Sequence, residues 1–367
     1  MKDDAFLKWL IAMQLDIVKV HKLLEHYGSG RAIFAYAAKG DARLDKNIID
    51  HANKTCLERA NLAGDFEFIS KDNAKYPKRL KEIDYHPIGL YVRGEIPNNF
   101  GQRPVVSIIG SRNNTTYGRK ITEQLAANLA RVGVIVVSGM ARGLDAYAHD
   151  AALKEKGETI AVLPSGIDVC YPSENEMLYK KIPNNGALIT EFKPGFTPMR
   201  WSFPARNRII SGLSDALVIV EAGQKSGTLT TATHAANQGK DVLCVPGSVH
   251  SPQSVGTNRL IKDGAGLITS YTDVLVHLKS QAHLKDFFNS SKQLFSGQNN
   301  DLPATKEKIT LAQMPALVYS CINYEPVSIE YIIQKTNLDI ATINKILLDL
   351  ELSAYIKKFR GNKYARY

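Results

Sequence analysis

The chain has 367 residues, of which 44% are hydrophobic, so it is long enough for two or three domains and too apolar for a disordered protein. Its 46 Lys and Arg against 36 Asp and Glu give a net charge of +10, which favours an acidic partner such as nucleic acid over ordinary solubility charge. The four cysteines lack CxxC spacing, and no apolar run nears the roughly 20 residues that span a bilayer, which disfavours a zinc site, a disulfide framework and a membrane protein. Because no signal-peptide pattern begins the sequence, we expect a cytoplasmic protein with reduced thiols.

Residues 1–65 are predicted to form a helical module. Apolar residues recur with a helical rhythm from Leu10 to Tyr27, Gly28-Ser29-Gly30 interrupts them, and a second helix is predicted over residues 32–38. Helices joined by a short glycine turn are typical of SAM-like or helix-hairpin-helix modules, which can hold nucleic-acid backbones. A plain helical bundle that packs on the next domain is the simpler interpretation.

Residues 66–280 alternate between short apolar runs and amphipathic helices. The predicted strands are residues 105–109, 134–137, 159–163, 187–190, 216–220 and 242–245. The helices predicted between them include residues 118–131, 145–156 and 228–237. Continuous apolar strands that alternate with such helices indicate an α/β fold with a doubly wound, mostly parallel sheet. Ligands of such sheets bind at the carboxyl ends of the strands.

Almost every predicted strand ends in a glycine-containing loop, where backbone N–H groups and helix N-termini favour anions. The candidate residues of these loops are Gly110, Ser111, Arg112 and Tyr117 after the first strand, Gly139, Arg142 and Gly143 after the second, Gly166 after the third, and Gly247 and Asn258 after the sixth. The segment around the fifth strand adds Phe203, Arg206, Asn207, Arg208, Lys225, Ser226, Gly227 and Thr228, the last opening a helix. Guanidinium groups form bidentate contacts with phosphate, so the pattern predicts a phosphate-binding surface.

Asp145 and His149 follow the second strand at a spacing that places both on one helix face. An acid–base pair is one interpretation of this spacing. Helix capping by Asp145 and local hydrogen bonding explain it more simply.

The C-terminal part is predicted to be a linker followed by a winged helix. Residues 281–306 are polar and rich in Ser, Asn and Gln, and residues 307–367 return to amphipathic periodicity with three helices and a hairpin around Gly361-Asn362. The third helix, residues 341–352, is nearly neutral and suits a DNA groove poorly. The hairpin is basic, and contact with a nucleic-acid backbone or with a protein explains its charge equally well. Its cations are Lys357, Lys358, Arg360, Lys363 and Arg366.

The segments SIIGSR, VVSGMARGLDAYAH, AVLPSGIDVCYP, FPARNRIISGLSDALVIVEAGQKSGTL and CVPG…GTNRLIKDGA, in this order, resemble the bacterial DNA-processing protein family named DprA or Smf. The similarity covers about residues 76–276, and both terminal modules fit the same family. Each segment alone is weak, whereas all five in order are specific. The resemblance implies an extended Rossmann-like domain that binds and protects incoming single-stranded DNA and loads the RecA recombinase during natural transformation. It also implies a homodimer and no catalysis. We expect no cofactor and no metal.

By the same resemblance, the DNA backbone contacts Arg112 and the run Arg206, Asn207 and Arg208, with Lys225 in a loop that varies among such proteins. For stacking with bases the sequence offers Tyr117, Tyr171, Trp201 and Phe203, although core packing explains Trp201 and Phe203 as well. Four or five neutralised phosphates would give a log–log salt slope of roughly −3 to −3.5.

Two other functions fit the fold type. A phosphoribohydrolase would need a PGGxGTxxE loop, but Pro246-Gly247-Ser248 lacks the second glycine, and no Glu follows Ser226-Gly227-Thr228 at that spacing. No GxxxxGK[ST] motif of a P-loop ATPase and no paired carboxylates of a nuclease occur at the strand ends. A nucleotide-sensing transcription factor would use the winged helix, whose third helix is nearly neutral.

Overall fold

The computed structural model describes residues 3–54, 64–290, 313–323, 326–336, 338–353, 355–359 and 361–366. The chain divides into two compact units, Met1–Ser296 and Gly297–Tyr367. Cys56, Arg360 and most of the predicted linker lie outside the described residues. Among the helices of the described ranges, none combines the length and apolarity that a membrane crossing requires.

The first unit begins with a helical module of four described helices. They are α1 (Asp4–Ala12), α2 (Ile17–Tyr27), α3 (Gly30–Ala38) and α4 (Lys46–Lys54). The apolar run predicted as one helix is broken before α2, because the Asp16 side chain accepts hydrogen bonds from the first-turn N–H groups of Val18 and Lys19. The helices pack around Trp9, and Ile88 of the following domain belongs to the same apolar cluster. The module is therefore a bundle that shares its core with the sheet domain.

A nine-stranded sheet forms the centre of the first unit. Its strands are β1 (Glu67–Ser70), β2 (Gly89–Gly94), β3 (Val105–Ile109), β4 (Ile135–Ser138), β5 (Thr159–Val162), β6 (Gly186–Thr190), β7 (Ala216–Ile219), β8 (Asp241–Cys244) and β9 (Gly266–Leu267). The order is β1-β2-β6-β5-β4-β3-β7-β8-β9, and among these strands the pairs β1–β2 and β2–β6 are antiparallel while the other six are parallel. The predicted mostly parallel sheet is confirmed.

Helices cover both faces of the sheet, as a doubly wound fold requires. They are α5 (Thr116–Arg131), α6 (Leu144–Lys154), α7 (Glu176–Lys181), α8 (Ser202–Leu213), α9 (Gly227–Asn237), α10 (Val255–Lys262), α11 (Tyr271–Lys279) and α12 (Lys285–Ser290). Alternate strand residues feed two separate buried apolar clusters, since successive side chains of a strand point to opposite faces. The segment predicted as linker begins inside this unit, because Leu284 and Phe288 are buried in the second cluster.

The order in which successive strands are added to the sheet reverses at β3 and β7, which is the switch point of this fold. These strands are parallel neighbours, with β4 on the far side of β3 and β8 on the far side of β7. In such sheets this reversal opens a crevice at the carboxyl ends of the two strands, which is where doubly wound proteins bind ligands. The loops after β3 and β7 line that crevice.

The second unit is a winged helix, as predicted. Its described elements are α13 (Gln313–Ser320), β10 (Val327–Ser328), α14 (Ile329–Thr336), α15 (Ile340–Leu352), β11 (Ile356–Phe359) and β12 (Lys363–Arg366). The strands form a small sheet in the order β10-β12-β11. Gly361 and Asn362 both have positive φ in the hairpin turn of the wing, where glycine and asparagine are favoured.

The described cysteines are free thiols. They are Cys170, Cys244 and Cys321. Cys244 is buried at the end of β8, and burial raises the pKa of its thiol to about 12, which makes it an unreactive core residue.

Candidate nucleic-acid interface

Four segments meet at the carboxyl ends of β3, β4 and β5. We call this face the strand-end surface and define it as residues 110–117, 139–143, 164–175 and 199–203. Asn175 joins two of the segments, because its side-chain amide donates to the carbonyl oxygen of Met140 at 2.8 Å. Arg142 joins the same two through an exposed ion pair with Glu174 at 3.2 Å. The surface has an outer layer of accessible side chains and a buried layer beneath it, which adds Arg206 and Asp145 to the four segments.

The outer layer centres on the half-buried ring of Phe203. The guanidinium carbon of Arg112, which is exposed, lies 5.2 Å from the centre of that ring. Tyr171 is exposed and packs edge-on at 5.7 Å between ring centres. A cation and two aromatic rings therefore stand together at the surface, which is the combination that binds a phosphate and a neighbouring base.

Two more aromatic residues border this group. Tyr117 is 46% exposed, and its hydroxyl donates to the carbonyl oxygen of Pro246 at 3.0 Å, which holds the ring over the loop after β8. Trp201 is 48% exposed and packs on Phe192 and Phe196, each at 5.6 Å between ring centres. For Trp201 both interpretations apply, because one part of the indole is packed while another remains accessible.

Further cations on the surface, and one in the neighbouring loop before α9, are available to a ligand. Both side chains of the Arg142–Glu174 ion pair are exposed. Little free energy is therefore lost when Arg142 leaves Glu174 to bind a phosphate. Lys225 is exposed in the loop that precedes α9. Arg200 is exposed beside Trp201 and was not predicted, because the motifs of this segment include only its aromatic and RNR positions.

The buried layer contains Arg206, which is 4% exposed. Its Nη1 donates to the carbonyl oxygens of Gly139 and Val162, each at 2.5 Å, and its Nε donates to Asn207 Oδ1 at 3.1 Å. A Cβ atom at Gly139 would lie 2.5 Å from Nη1, so a larger residue there would displace the guanidinium. Arg206 thus connects the carboxyl ends of β4 and β5 through hydrogen bonds in the protein interior.

Asp145 completes the buried layer at the end of β4. Its Oδ2 accepts a hydrogen bond from the N–H of Gly139 at 3.1 Å. Burial raises the pKa of Asp145, while Arg206 and backbone N–H groups of the strand-end loops oppose that rise. Burial likewise lowers the pKa of Arg206 to about 10, and Asp145 opposes it. The opposite charges stabilise each other where water is excluded.

The predicted capping role of Asp145 is wrong, because Gly143 is the N-cap of α6 and Asp145 lies inside its first turn. Gly143 has φ of 80°, and a Cβ atom there would lie 2.5 Å from the carbonyl oxygen of Ser111. His149 is not paired with Asp145. Its Nδ1 lies 2.7 Å from Thr159 Oγ1, and burial lowers the pKa of His149 to about 3.

Arg208 lies on another side of α8 from Arg206. It is 8% exposed and pairs with the carboxylate of Glu191, just past β6. Burial raises the pKa of Glu191, which the Arg208 charge opposes. Neither Arg206 nor Arg208 is open to solvent in this structure, so contact of either guanidinium with DNA stays a prediction that requires it to be uncovered.

The other predicted residues hold the loops together. Ser226 caps α9 by accepting from the N–H of Thr228 at 3.2 Å, and the Thr228 hydroxyl donates to the carbonyl oxygen of Gly110 at 3.3 Å. Asn258 closes the loop after β8 through two hydrogen bonds with the backbone of Gly247. The remaining candidates are Ser111, whose hydroxyl accepts from the N–H of Asn113, Gly166, whose N–H donates to the carbonyl of Phe196, and Gly227, which is exposed at the start of α9.

Glu221 is a site residue that the sequence analysis missed. It lies two residues past the end of β7, at the crevice, and is 1% exposed. Its carboxylate accepts from the backbone N–H of Thr115 at 3.0 Å and from the Thr115 hydroxyl. The signal in the sequence was a single charged residue after the apolar run ALVIV.

Comparison with known proteins identifies relatives for both units. A family model of DNA recombination-mediator protein A matches residues 67–279, and a model of the DprA winged helix domain matches residues 303–362. Protein Smf of Synechocystis is 33% identical over 318 residues, which cover 82% of this chain and 80% of that protein. The crystal structure of DNA processing protein A (DprA) from Streptococcus pneumoniae matches with a TM-score of 0.67 and 32% identity over 75% of this chain and 98% of that one.

A second solved structure is that of DNA processing protein A from Helicobacter pylori, described for its unique single-stranded DNA binding mode. It matches with a TM-score of 0.53 and 32% identity over 60% of this chain and 96% of that one. The chain is thus similar to DNA processing proteins both in sequence and in fold.

Proposed function

Because this chain belongs to the DNA recombination-mediator protein A family, also named DprA or Smf, we propose that its strand-end surface binds single-stranded DNA and delivers it to the RecA recombinase. DNA processing and recombination mediation are the role of the family. The strand-end surface and the exposed side chains named above are the proposed location of this binding. The Helicobacter pylori relative, described for its single-stranded DNA binding mode, supports the choice of ligand.

The arrangement of Arg112 over Phe203, with Tyr171 at the ring edge, carries this proposal. A duplex keeps its bases stacked inside, so rings at a protein surface cannot stack with them. A single strand exposes both its bases and its phosphates. Each base stacked on an aromatic ring contributes about 1–3 kcal/mol regardless of its identity. We therefore expect a preference for single strands with little dependence on base sequence.

The salt dependence follows from the cations that remain accessible. Arg206 and Arg208 are buried, which leaves Arg112, Arg142, Arg200 and Lys225 as the exposed cations of the strand-end surface and its neighbouring loop. Three or four neutralised phosphates give a log–log salt slope of roughly −2 to −3. This slope is shallower than the sequence alone predicted, because two of the counted arginines have partners inside the protein.

Fluorescence anisotropy with a labelled oligo-dT and a duplex of equal length, over a series of salt concentrations, tests the binding step. Tighter binding of the single strand with the stated slope supports the proposal. Binding of the duplex alone contradicts it. The delivery step is tested by the lag before RecA hydrolyses ATP on the same single strand, which we expect this protein to shorten.

The remaining parts of the proposal concern assembly and context. We propose a homodimer, because β9 leaves one edge of the sheet unpaired among the described strands, with Leu267 exposed there. We propose a role in the cytoplasm, in natural transformation and homologous recombination, through binding rather than catalysis. Sedimentation of the full chain at several concentrations would test the dimer.

A further inference from the structure

The carboxylate of Glu221, a side chain of the protein itself, lies in the crevice between β3 and β7. In doubly wound folds nucleotide phosphates bind here, against the N-terminus of the helix that follows the first strand of the crevice. In this chain that helix is α5, whose N-cap is Thr115. The carboxylate of Glu221 accepts hydrogen bonds from both the N–H and the hydroxyl of Thr115.

The carboxylate also touches the first turn of α5. A Cβ atom built on Gly118 would lie 2.3 Å from Glu221 Cδ and 2.4 Å from its Oε2. Glu221 is 1% exposed, so its charge is stabilised by these donors and by the positive end of the helix dipole rather than by water. A phosphate at this place would be repelled by the negative charge of Glu221 and would overlap with its carboxylate.

We propose that Glu221 is a resident anion that takes the place of a nucleotide phosphate. It thereby excludes free nucleotides from the crevice and positions the loop that carries Arg112 and Tyr117. The exclusion follows from the geometry alone, whereas the effect on DNA rests on the proposed function. Glu221 is a positioning residue, because it contacts Thr115 and the first turn of α5 and acts on Arg112 and Tyr117 through them.

Charge and position predict opposite effects on DNA binding. Removal of a negative charge near a nucleic-acid surface strengthens binding by electrostatics alone. Loss of the hydrogen bonds to Thr115 instead releases the segment that holds Arg112 and Tyr117, which weakens binding. The sign of the change therefore separates a positioning residue from a charge that merely lies nearby.

Three variants of the full chain test the exclusion, with pyrophosphate as the probe. Glu221→Ala empties the site, Glu221→Gln fills it without charge, and Glu123→Gln removes a partly exposed carboxylate, paired with Arg119, from α5. At about 10 mM pyrophosphate we expect the Tm of Glu221→Ala to rise by about 2 °C or more relative to the other two variants and the wild type. The comparison removes the general stabilisation by a strongly hydrated anion.

Equal responses in all four proteins overturn the exclusion. If Glu221→Ala is unfolded alone, the same readout is its refolding on addition of pyrophosphate, with Glu221→Ser as the second variant. For DNA we expect Glu221→Ala to bind oligo-dT at least about threefold more weakly, and unchanged or tighter binding overturns the positioning role. Failure of the wild type to bind oligo-dT would contradict the proposed function and leave the pyrophosphate result standing.

Discussion

The two layers of the strand-end surface contain the same kinds of side chain in opposite environments. Arg112 in the outer layer is exposed and rests on an aromatic ring, whereas Arg206 in the buried layer is 4% exposed and donates to two strand-end carbonyls. An arginine therefore serves either as a ligand contact or as a structural support, and its surroundings decide which. Substitutions in the buried layer should lower stability, and those in the outer layer should lower affinity without unfolding.

The largest effect is expected for Arg206→Ala. Removal of this guanidinium leaves Asp145 as an uncompensated buried charge and leaves the carbonyls of Gly139 and Val162 without their donor. We expect the free energy of unfolding to fall by about 3–5 kcal/mol, measured by urea denaturation. The exposed Arg200→Ala is the matched control, with an expected change within about 0.5 kcal/mol. Equal stability of the two variants would contradict a structural role of Arg206.

The next effect is a pH dependence of stability from His149. Its pKa is about 3 in the folded protein against 6.5 unfolded, so the unfolded chain binds the extra proton between these values. The contribution of His149 to the free energy of unfolding is therefore fully present above about pH 6.5. It decreases by about 1.4 kcal/mol per pH unit as the pH falls from there towards about 3. The Thr159 hydroxyl donates to the Val136 carbonyl, so His149 Nδ1 must donate to Thr159.

His149→Asn can preserve that donor while removing the titration. Between pH 6 and 4, we expect the unfolding free energy of the variant to change less steeply with pH, by the amount that corresponds to one proton. Urea midpoints at each pH measure this slope. The same substitution at the exposed His250 should leave the slope as it is. A wild-type slope in His149→Asn would show that other groups cause the acid sensitivity.

In the outer layer, Phe203→Ala should cost the most affinity. Loss of one stacked base weakens oligo-dT binding by about 1–3 kcal/mol, which is roughly 5- to 150-fold in Kd. Fluorescence anisotropy measures the Kd, and an unchanged urea midpoint confirms that the fold is intact. Phe203→Tyr retains the ring and should bind like the wild type. If Phe203→Ala also binds like the wild type, this ring has only a packing role.

A smaller change is expected for Arg112→Ala. Loss of one phosphate contact should make the log–log salt slope shallower by about 0.7. Arg112→Lys keeps the charge and should keep the slope, although it loses the planar contact with Phe203. The two variants should then differ in slope, and identical slopes would remove Arg112 from the phosphate contacts.

The smallest effect is expected in the wing, where Lys357 and Lys358 are exposed. Lys357 lies over the ring of Phe359 and Lys358 over that of Tyr364, on a four-residue strand. We expect Lys357→Ala with Lys358→Ala to change the affinity for oligo-dT less than about twofold. A slope shallower by about 1.4 would instead show that both lysines bind phosphates.

The sequence predicted the sheet well because its strands are continuous apolar runs, such as VVSII and ALVI, that only a sheet covered on both faces can bury. The four-residue β1 was missed, since a short edge strand carries almost no pattern. The winged helix was predicted because amphipathic periodicity and a Gly-Asn turn survive in a short domain.

The candidate site was predicted less well, because a sequence shows charge but not direction. Arg206 and Arg208 stand two positions apart on α8, and each finds its own buried acceptors from other segments, which no local spacing reveals. Arg112 and Phe203 are 91 positions apart and meet only when the strand ends converge. The loops were therefore predictable, whereas the sorting of their residues into two layers required the structure.

Hydrogen–deuterium exchange of the full chain with and without oligo-dT shows where single-stranded DNA binds. We expect slower exchange on binding in residues 110–117, 139–143 and 199–203, with little change in the wing at residues 355–366. Protection confined to the wing, with the strand-end loops exchanging as before, would contradict binding at the strand-end surface.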